Sequence, residues 1–387
     1  MNLMNTYKPF PEKMVKGEGN YLIDENGKIY LDFLSGIAVN ALGYGYKPLV
    51  EAMIDQVEQL IHCSNYFQTE PQLKLAELLV ENTCFDKVFF SNSGAEANEG
   101  AIKLARKYSE GKYGKEKNKI ITFKESFHGR TLATVSATGQ DSFHTNFSPL
   151  PTGFEYAILN DIESVKALVN EDVCAILVEP IQGEGGLNSC TVGFMKDLNQ
   201  LCKEQNLLLI FDEIQTGLGR TGSLFAYEWL GVEPDILTSA KALGGGLPLG
   251  AILAKAEVAE TFVPGDHGST FGGNPVACRG GIVVLETLLS DGFMDTIKKR
   301  SVYLSSGLFA LQQKHESILE LKGRGLMVGF SLVDDGSDLV AKAYEKGIII
   351  NQAKGNTMRF LPPLTIEEEE IDKLIFLLDD LLEERGN

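Results

Sequence analysis

The stretch TSAKALGGGLPLGA (residues 238–251) places Lys241 among small and apolar residues. It overlaps the run PDILTSA (residues 234–240), whose last six residues predict a buried strand. An ammonium group loses hydration in such surroundings, so we expect the pKa of Lys241 to be lowered. A lysine that is partly neutral near pH 7 can form a Schiff base with a carbonyl group. Considered alone, Lys241 would be assigned to a solvated position before a loop.

A second apolar run, LLLIF (residues 207–211), is followed by Asp212. The run predicts a buried parallel strand, and the carboxyl ends of such strands face the crevice where open α/β sheets bind ligands. A carboxylate and a lysine at two such ends indicate a pyridoxal phosphate site. There the carboxylate keeps the pyridine nitrogen protonated and the lysine binds the aldehyde. Alone, Asp212 would fit a helix cap or a surface ion pair.

The stretch SNSGAEAN (residues 91–98) follows the strand-like run KVFF (residues 87–90). Ser93, Gly94 and Ala95 open a helical stretch with apolar residues on one face. A strand, a turn of small residues and a helix N-terminus together predict an anion site, because free N–H groups and the positive end of the helix dipole face the ligand. A structural N-cap would explain Ser93 equally well.

Together with VEPIQGEGG (residues 178–186), FHGRT (127–131), FDEIQTGLGRTG (211–222), HGSTFGGNP (267–275) and MRFLPPLT (358–365), these motifs resemble those of a known family. The chain is similar to the class III (ornithine-type) aminotransferases of the fold type I pyridoxal-phosphate enzymes, and within them to the acetylornithine aminotransferases. The matches cover nearly the whole chain. The resemblance implies an α/β fold, with a large domain built on a mostly parallel central sheet flanked by helices and a small α+β domain beside it.

The resemblance also implies roles for individual residues. The catalytic residues would be Lys241, which binds the cofactor and moves the proton, Asp212, which pairs with the pyridinium nitrogen, and Glu184. The cofactor contacts would come from Ser93, Gly94, Ala95, Phe127, Asp212, Glu213, Ile214, Gln215, Lys241 and, from the neighbouring subunit of a homodimer, Thr270. The substrate contacts would come from Arg130, Ser269, Arg359, Glu184 and Ile37.

The activity implied is transfer of the δ-amino group of N2-acetyl-L-ornithine to 2-oxoglutarate, giving N-acetyl-L-glutamate 5-semialdehyde and L-glutamate in arginine biosynthesis. Arg130 and Arg359 would bind substrate carboxylates, and Glu184 would pair with Arg359 and move aside when glutamate binds. Ile37 stands where ornithine aminotransferases typically have tyrosine, and its apolar side chain favours an N-acylated donor. Ornithine, succinyl-diaminopimelate and GABA remain alternative donors.

One motif departs from the family pattern. Many relatives have G-H-x-H-P where this chain has GYGYKP (residues 43–48). The sequence does not indicate what Tyr44 and Tyr46 change.

Composition narrows the class of protein. The net charge of −18 argues against a nucleic-acid partner, and no apolar run reaches the roughly 18 residues that a membrane span needs. The six cysteines lack CxxC spacing and the five histidines are scattered, so we expect free thiols and no metal site. The N-terminus lacks a signal-peptide pattern, which predicts a cytoplasmic protein.

Strand-like and helical runs alternate along the chain, as in a parallel sheet with crossover helices. The predicted strands are KVFF, KIITF (119–123), VCAILVEP (173–180), LLLIF, DILTSA (235–240) and GAILA (250–254). We expect residues 1–50 to form the N-terminal part of the small domain, residues 51–275 the large cofactor-binding domain, and residues 276–387 the C-terminal part of the small domain.

Two other classes of function are alternatives to an aminotransferase. GLGRTG (residues 217–222) satisfies the G-x-G-x-x-G pattern of dinucleotide-binding oxidoreductases. However, Asp212, Glu213 and Gln215 occupy the turn where that pattern needs its tight glycine bend. A binding protein without cofactor is the second alternative, and the presence of both Lys241 and Asp212 argues against it.

Overall fold

The N-terminal segment forms three short antiparallel strands and a tight turn in the computed structural model, which describes residues 2–386. These elements are β1 (Met14–Glu18), β2 (Tyr21–Asp24), β3 (Ile29–Asp32) and α1 (Ser35–Ala38). Gly19 and Gly27 adopt positive φ between the strands, where Gly-Asn and Asn-Gly predict turns. The predicted domain limits at Met1 and Asn387 lie outside the described residues.

The middle of the chain alternates strands with helices. The strands are β4 (Lys87–Ser91), β5 (Lys119–Phe123), β6 (Phe154–Ala157), β7 (Val173–Val178), β8 (Ile181–Gln182), β9 (Asn188–Ser189), β10 (Leu208–Asp212), β11 (Ile236–Ser239) and β12 (Gly250–Ala254). The helices are α2 (Lys47–Gln59), α3 (Glu70–Glu81), α4 (Gly94–Tyr113), α5 (Leu132–Ala137), α6 (Ile162–Leu168), α7 (Val192–Gln205), α8 (Ala226–Leu230) and α9 (Ala256–Ala259).

Seven of these strands form the central sheet, in the order β4-β12-β11-β10-β7-β5-β6. The strands from β11 to β6 run parallel, and β12 is antiparallel to both of its neighbours. All residues of β7, β10, β11 and β12 are buried, which explains their continuous apolar runs. The predicted strands and the mostly parallel sheet are confirmed. Strand β6 was not predicted, and its residues FEYA lie mostly half-buried at the sheet edge.

The C-terminal part contributes a second antiparallel sheet and four helices among the described residues. Its elements are α10 (Pro275–Leu289), α11 (Phe293–Lys314), β13 (Ile318–Arg324), β14 (Met327–Leu332), α12 (Ser337–Glu345), β15 (Ile348–Ile349), β16 (Asn351–Gln352), β17 (Thr357–Phe360) and α13 (Glu368–Gly386). The sheet has the order β13-β14-β17-β16, whereas β15 joins the N-terminal sheet as the parallel neighbour of β3. The predicted limits of the domains at residues 50 and 275 stay a prediction.

The parallel register brings two strand ends together. Asp212, the last residue of β10, is paired in register with Thr238 of β11, and Lys241 lies two residues after the end of β11. Both side chains therefore belong to the same edge of the sheet. None of the helices between residues 2 and 386 is both long and apolar enough to cross a bilayer.

Candidate active site

A cavity of about 250 Å³ lies at this edge of the sheet. Its lining residues are Gly94, Ala95, Phe127, His128, Gly129, Arg130, Glu179, Ile181, Glu184, Asp212, Ile214, Gln215, Thr216 and Lys241. The cavity thus brings together most of the residues that the motifs predict for cofactor and substrate. The predicted residues outside this lining are Ile37, Ser93, Glu213, Ser269, Thr270 and Arg359.

Lys241 begins a single 3₁₀ turn (Lys241–Gly244) after β11 and has a φ of 50°. A non-glycine residue in the left-handed region is uncommon and concentrates at functional sites. Burial lowers the pKa of Lys241, and the charge of Arg359 acts in the same direction. The carboxylates of Glu184 and Asp212 oppose the shift, and together these effects leave the pKa at about 8. The ammonium group has no hydrogen bond or ion pair with the residues that the structure describes, so it is available to a ligand.

Asp212 is buried and held by three donors. Its Oδ2 accepts a hydrogen bond from Asn98 Nδ2 at 2.7 Å and lies 2.8 Å from His128 Nδ1, and its Oδ1 accepts from the Ile214 N–H at 3.1 Å. Asn98 is fixed in turn, since it donates to the His128 carbonyl and accepts from Thr238. Side chains on α4, β11 and the FHGRT segment therefore orient this carboxylate in the cavity wall.

The first turn of α4 lies beside this carboxylate. Ser93 caps the helix by accepting a hydrogen bond from the Glu96 N–H, which is the structural explanation that the sequence left open. The N–H groups of Gly94 and Ala95 have no acceptor in residues 2–386 and lie in the cavity wall. A Cβ at position 94 would stand 2.7 Å from the Ile214 side chain, so only glycine lets Ile214 pack over the helix start.

Phe127 and Glu179 also line the cavity. The Phe127 N–H donates to Glu179 Oε2 at 2.9 Å. Burial and the nearby charge of Asp212 hold the pKa of the Glu179 carboxyl well above its ordinary value. Glu179 belongs to the quoted VEPIQGEGG motif, but the sequence analysis assigned no role to it.

Arg359 lies on β17, fully buried behind the cavity wall. Its Nη1 donates to Glu184 Oε1 at 2.7 Å, to the Gly183 carbonyl at 3.0 Å and to Gln215 Oε1 at 3.2 Å. Its Nε donates to Asn351 on the adjacent strand. Burial raises the pKa of Glu184, but attraction to Arg359 outweighs burial and leaves that pKa below its ordinary value. The predicted pairing of Glu184 with Arg359 is thus present in the folded chain.

The Arg130 guanidinium group differs from that of Arg359 in its exposure and its partners. The residue is exposed at the cavity rim, and its side chain forms no hydrogen bond or ion pair within the described part of the chain. Two aromatic rings, Phe127 and Phe143, lie against the group instead. A guanidinium group without a carboxylate partner can donate two parallel hydrogen bonds to the carboxylate of a ligand.

Ile37 is half-buried and packs in a small apolar cluster with Ile181, which lines the cavity. It belongs to α1, in which Ser35, Ile37 and Ala38 all adopt positive φ, so the segment is a left-handed turn. Such a turn is costly for L-residues and persists only where its surroundings hold it.

The buried Asp32 carboxylate holds this turn. Its Oδ1 accepts from the N–H groups of Leu34 and Ser35, and its Oδ2 accepts from Tyr44 Oη at 2.6 Å. Ser35 Oγ donates to the Leu361 carbonyl beyond β17. Tyr44, which departs from the family pattern, therefore supports the segment that carries Ile37.

The remaining predicted residues lie around the cavity. Ser269 Oγ accepts from Asn92 Nδ2, and Thr270 is exposed at a separate crevice. Glu213 is buried, is not among the lining residues, and accepts hydrogen bonds from the N–H groups of Ala226 and Tyr227 at the start of α8. Burial raises the pKa of Glu213 to about 7. Any contact of Glu213 with a cofactor stays a prediction.

The sequence model of the aminotransferase class-III family matches residues 3–382. The chain belongs to this family. An acetylornithine aminotransferase from Caldanaerobacter subterraneus subsp. tengcongensis is 54% identical over 99% of this chain and 97% of its own length. Another, from Aquifex aeolicus, is 50% identical over 98% of this chain and 99% of its own length.

Solved structures of aminotransferases share the fold. The ornithine aminotransferase of Toxoplasma gondii ME49 has a TM-score of 0.95 at 34% identity, covering 100% of this chain and 93% of its own. The N-acetylornithine aminotransferase of Stenotrophomonas maltophilia K279a has a TM-score of 0.84 at 37% identity, covering 96% of this chain and 95% of its own. The predicted fold class, fold type I, is confirmed.

The side chains of this class III aminotransferase fit pyridoxal phosphate. A free ammonium group at Lys241, a buried carboxylate at Asp212 and the unused N–H groups of Gly94 and Ala95 line one cavity. The amine can bind an aldehyde, the carboxylate can pair with a protonated ring nitrogen, and the N–H groups can bind a phosphate. His128 Nε2 is also buried without a partner in the described residues, so it can form a hydrogen bond with a ligand at the site.

Besides Glu179, the residues His128, Asn98 and Phe143 were not predicted from the sequence. His128 and Asn98 contact Asp212, and Phe143 contacts Arg130. His128 and Asn98 stand inside quoted motifs, so the motifs could have indicated them. Phe143 ends a single 3₁₀ turn (Asp141–Phe143) in the loop after α5, outside the quoted motifs.

Proposed function

We propose that the chain transfers the δ-amino group of N2-acetyl-L-ornithine to 2-oxoglutarate, giving N-acetyl-L-glutamate 5-semialdehyde and L-glutamate, with pyridoxal phosphate as cofactor. One observation carries the proposal: a paired arginine, Arg359, and an unpaired one, Arg130, flank the cavity of Lys241. A transaminase that alternates between an acylated donor and glutamate needs one permanent carboxylate site and one that can be switched. The relatives at 54% and 50% identity named for this activity support it.

Pyridoxal phosphate, when bound, supplies a protonated ring that stabilises negative charge on the carbon bearing the transferred amine. The N–H groups of Gly94 and Ala95 would hold the phosphate at the start of α4. Phe127 would pack on the ring face, and Asp212 would keep the proton on the ring nitrogen. The hydrogen bonds of Asp212 to Asn98 and His128 fix its direction before any ligand binds.

Lys241 would act as the proton carrier of the reaction. Lys241 Nζ would hold and move the proton of the substrate carbon that carries the δ-amine. A pKa of about 8 leaves part of the amine neutral near neutral pH, which a general base requires.

Arg130 would bind the carboxylate of the acetylated donor, because its fork has no other partner in the described residues. Ile37 and Ile181 form an apolar wall that suits an uncharged acetamido group. The charged α-amine of free ornithine would lose hydration against this wall without gaining a partner.

Glutamate and 2-oxoglutarate carry a second carboxylate, which Arg359 would bind after Glu184 moves aside. Gln215 contacts both members of the pair and would keep one of them hydrogen-bonded during the exchange. The charge of Arg359 would thus be compensated by Glu184 when the acetylated donor is bound and by the second carboxylate when glutamate is bound.

We extend the proposal to a cytoplasmic homodimer of arginine biosynthesis in which each Thr270 reaches the phosphate held by the neighbouring subunit. Thr270 is exposed outside the cavity of its own chain, which supports a contact across an interface. Light scattering at assay concentration tests this part of the proposal. A fully active monomer would contradict the shared site.

Another class III ω-aminotransferase activity, with ornithine, succinyl-diaminopimelate or GABA as donor, is the alternative. The test is kcat/KM for each donor with 2-oxoglutarate, on the unmodified enzyme and on Ile37→Tyr. We expect kcat/KM of the unmodified enzyme to be higher for acetylornithine than for ornithine or GABA. In Ile37→Tyr, the difference in kcat/KM between acetylornithine and ornithine should be smaller. A tenfold preference for ornithine or GABA would refute the acetylornithine assignment and leave the family assignment intact.

A further inference from the structure

Among residues 2–386, two aromatic rings contact the Arg130 guanidinium group, and no hydrogen-bond acceptor does. Its guanidinium carbon lies 4.1 Å from the centroid of the Phe143 ring and 5.5 Å from that of Phe127. The two rings also contact each other edge to face, with centroids 5.5 Å apart. Contacts of this kind attract a cation through the ring quadrupole and leave all of its N–H donors free.

The loop that carries Phe143 is tied to the wall of the site. Buried Gln140 donates its Nε2 to the Ser126 carbonyl at 3.0 Å, next to Phe127. His144 Nε2 lies 2.9 Å from the Val135 carbonyl of α5 and 2.8 Å from the carbonyl of Thr138, the C-cap residue of this helix. Hydrogen bonds on both sides of Phe143 therefore fix where its ring stands relative to Arg130.

We propose that Phe143 is a positioning residue that holds the Arg130 guanidinium ready for the carboxylate of the acylated donor. This inference rests on the proposed function, because it assigns the donor carboxylate to Arg130. Without the ring, the exposed arginine would sample many rotamers and lose conformational entropy when the substrate binds. Phe143 thus contributes to donor recognition without touching the reacting atoms.

The inference predicts an effect on binding rather than on chemistry. Phe143→Leu keeps an apolar side chain but removes the ring quadrupole, and Phe143→Tyr keeps the ring. We expect Phe143→Leu to raise KM for acetylornithine about 3- to 30-fold, the range of a partly desolvated cation–π contact, with kcat within about twofold. Phe143→Tyr should restore the KM of the unmodified enzyme.

A direct readout uses Nα-acetyl-L-norvaline, which has the carboxylate and acetyl group of the donor but no δ-amine and cannot react. Calorimetric titration of the holoenzyme should show the same loss of affinity for Phe143→Leu. In an Arg130→Ala background, Phe143→Leu should cause no further loss, because the ring would act only through the arginine. Phe147→Leu, an exposed phenylalanine of the same loop, is the matched control and should leave affinity unchanged.

Two results would overturn the inference. The first is unchanged affinity and KM in Phe143→Leu. The second is an equal loss with and without Arg130, which would show that the ring merely supports the loop. If the unmodified enzyme uses acetylornithine, either result refutes only the role of Phe143. Failure of the unmodified enzyme to use acetylornithine refutes the proposed function itself.

Discussion

Glu184 and Arg359 form an ion pair of 2.7 Å between Oε1 and Nη1, and the two partners differ in burial. The arginine side chain is 1% exposed, whereas the glutamate side chain is 29% exposed. The arginine is also fixed by the Gly183 carbonyl and by Asn351. Glu184 is therefore the partner that can move, and the pair can open without rearranging β17.

The first prediction is that Glu184→Gln shifts preference towards substrates with two carboxylates. The variant leaves Arg359 without a counter-charge, so glutamate no longer has to displace one. The ratio of kcat/KM for glutamate to that for acetylornithine should rise on the order of 10- to 100-fold in single-turnover half-reactions. Glu125→Gln, which breaks an exposed pair with Lys354, is the control and should leave the ratio unchanged. An unchanged ratio in Glu184→Gln would count against the switch.

The second prediction concerns the pH dependence of cofactor attachment. Only the neutral amine of Lys241 is nucleophilic, and its pKa is lowered from 10.5 to about 8. The rate at which cofactor-free protein develops the near-visible band with pyridoxal phosphate should therefore rise with pH and reach half its maximum near pH 8. Lys241→Arg should show no band, whereas Lys354→Arg should behave like the unmodified protein. A midpoint near 10 would refute the buried state of Lys241.

The third prediction compares the effect on kcat of replacing Asp212 with the effect of replacing a carboxylate at the opposite edge of the sheet. Asp212→Asn removes the charge that keeps the ring nitrogen protonated, so kcat should fall on the order of 10³-fold while cofactor still binds. Asp235, which accepts from the Leu209 N–H at the amino end of β11, is the control. Asp235→Asn can keep that hydrogen bond, and its kcat should stay within about threefold of the unmodified value. Comparable kcat in both variants would exclude the assigned role.

The fourth prediction concerns the Tyr44 side chain. Tyr44→Phe leaves Oδ2 of the buried Asp32 without a donor, which should lower the free energy of unfolding by about 1–3 kcal/mol. Tyr303 donates to Asp372 in an exposed pair, so Tyr303→Phe should change it by no more than about 0.5 kcal/mol. Urea unfolding at one pH measures both. Because the turn carries Ile37, Tyr44→Phe alone should also reduce the preference for acetylornithine over ornithine. Equal stabilities of the two variants would contradict this account.

Much of the fold was accessible from local patterns. Strands buried on both faces, such as β7 and β10, need continuous apolar runs, and those runs are visible in the sequence. The edge strand β6 was missed because a half-buried strand needs no such run. The left-handed turn at Ser35–Ala38 was also invisible, since it depends on the carboxylate of Asp32 and on Tyr44 rather than on its own residues.

The candidate site also contains residues that the sequence predicts and contacts that only the tertiary structure decides. Lys241 and Asp212 could be found from the sequence, because each ends a recognisable strand and parallel strands bring their carboxyl ends to one edge. The motifs also indicated Glu184 and Arg359 as partners, although 175 positions separate them along the chain. The contact of Phe143 with Arg130, the donors that surround Asp212 and the unequal burial of the Glu184–Arg359 pair arise only when distant segments pack together. Their geometry is a property of long-range packing, which no local pattern of residues encodes.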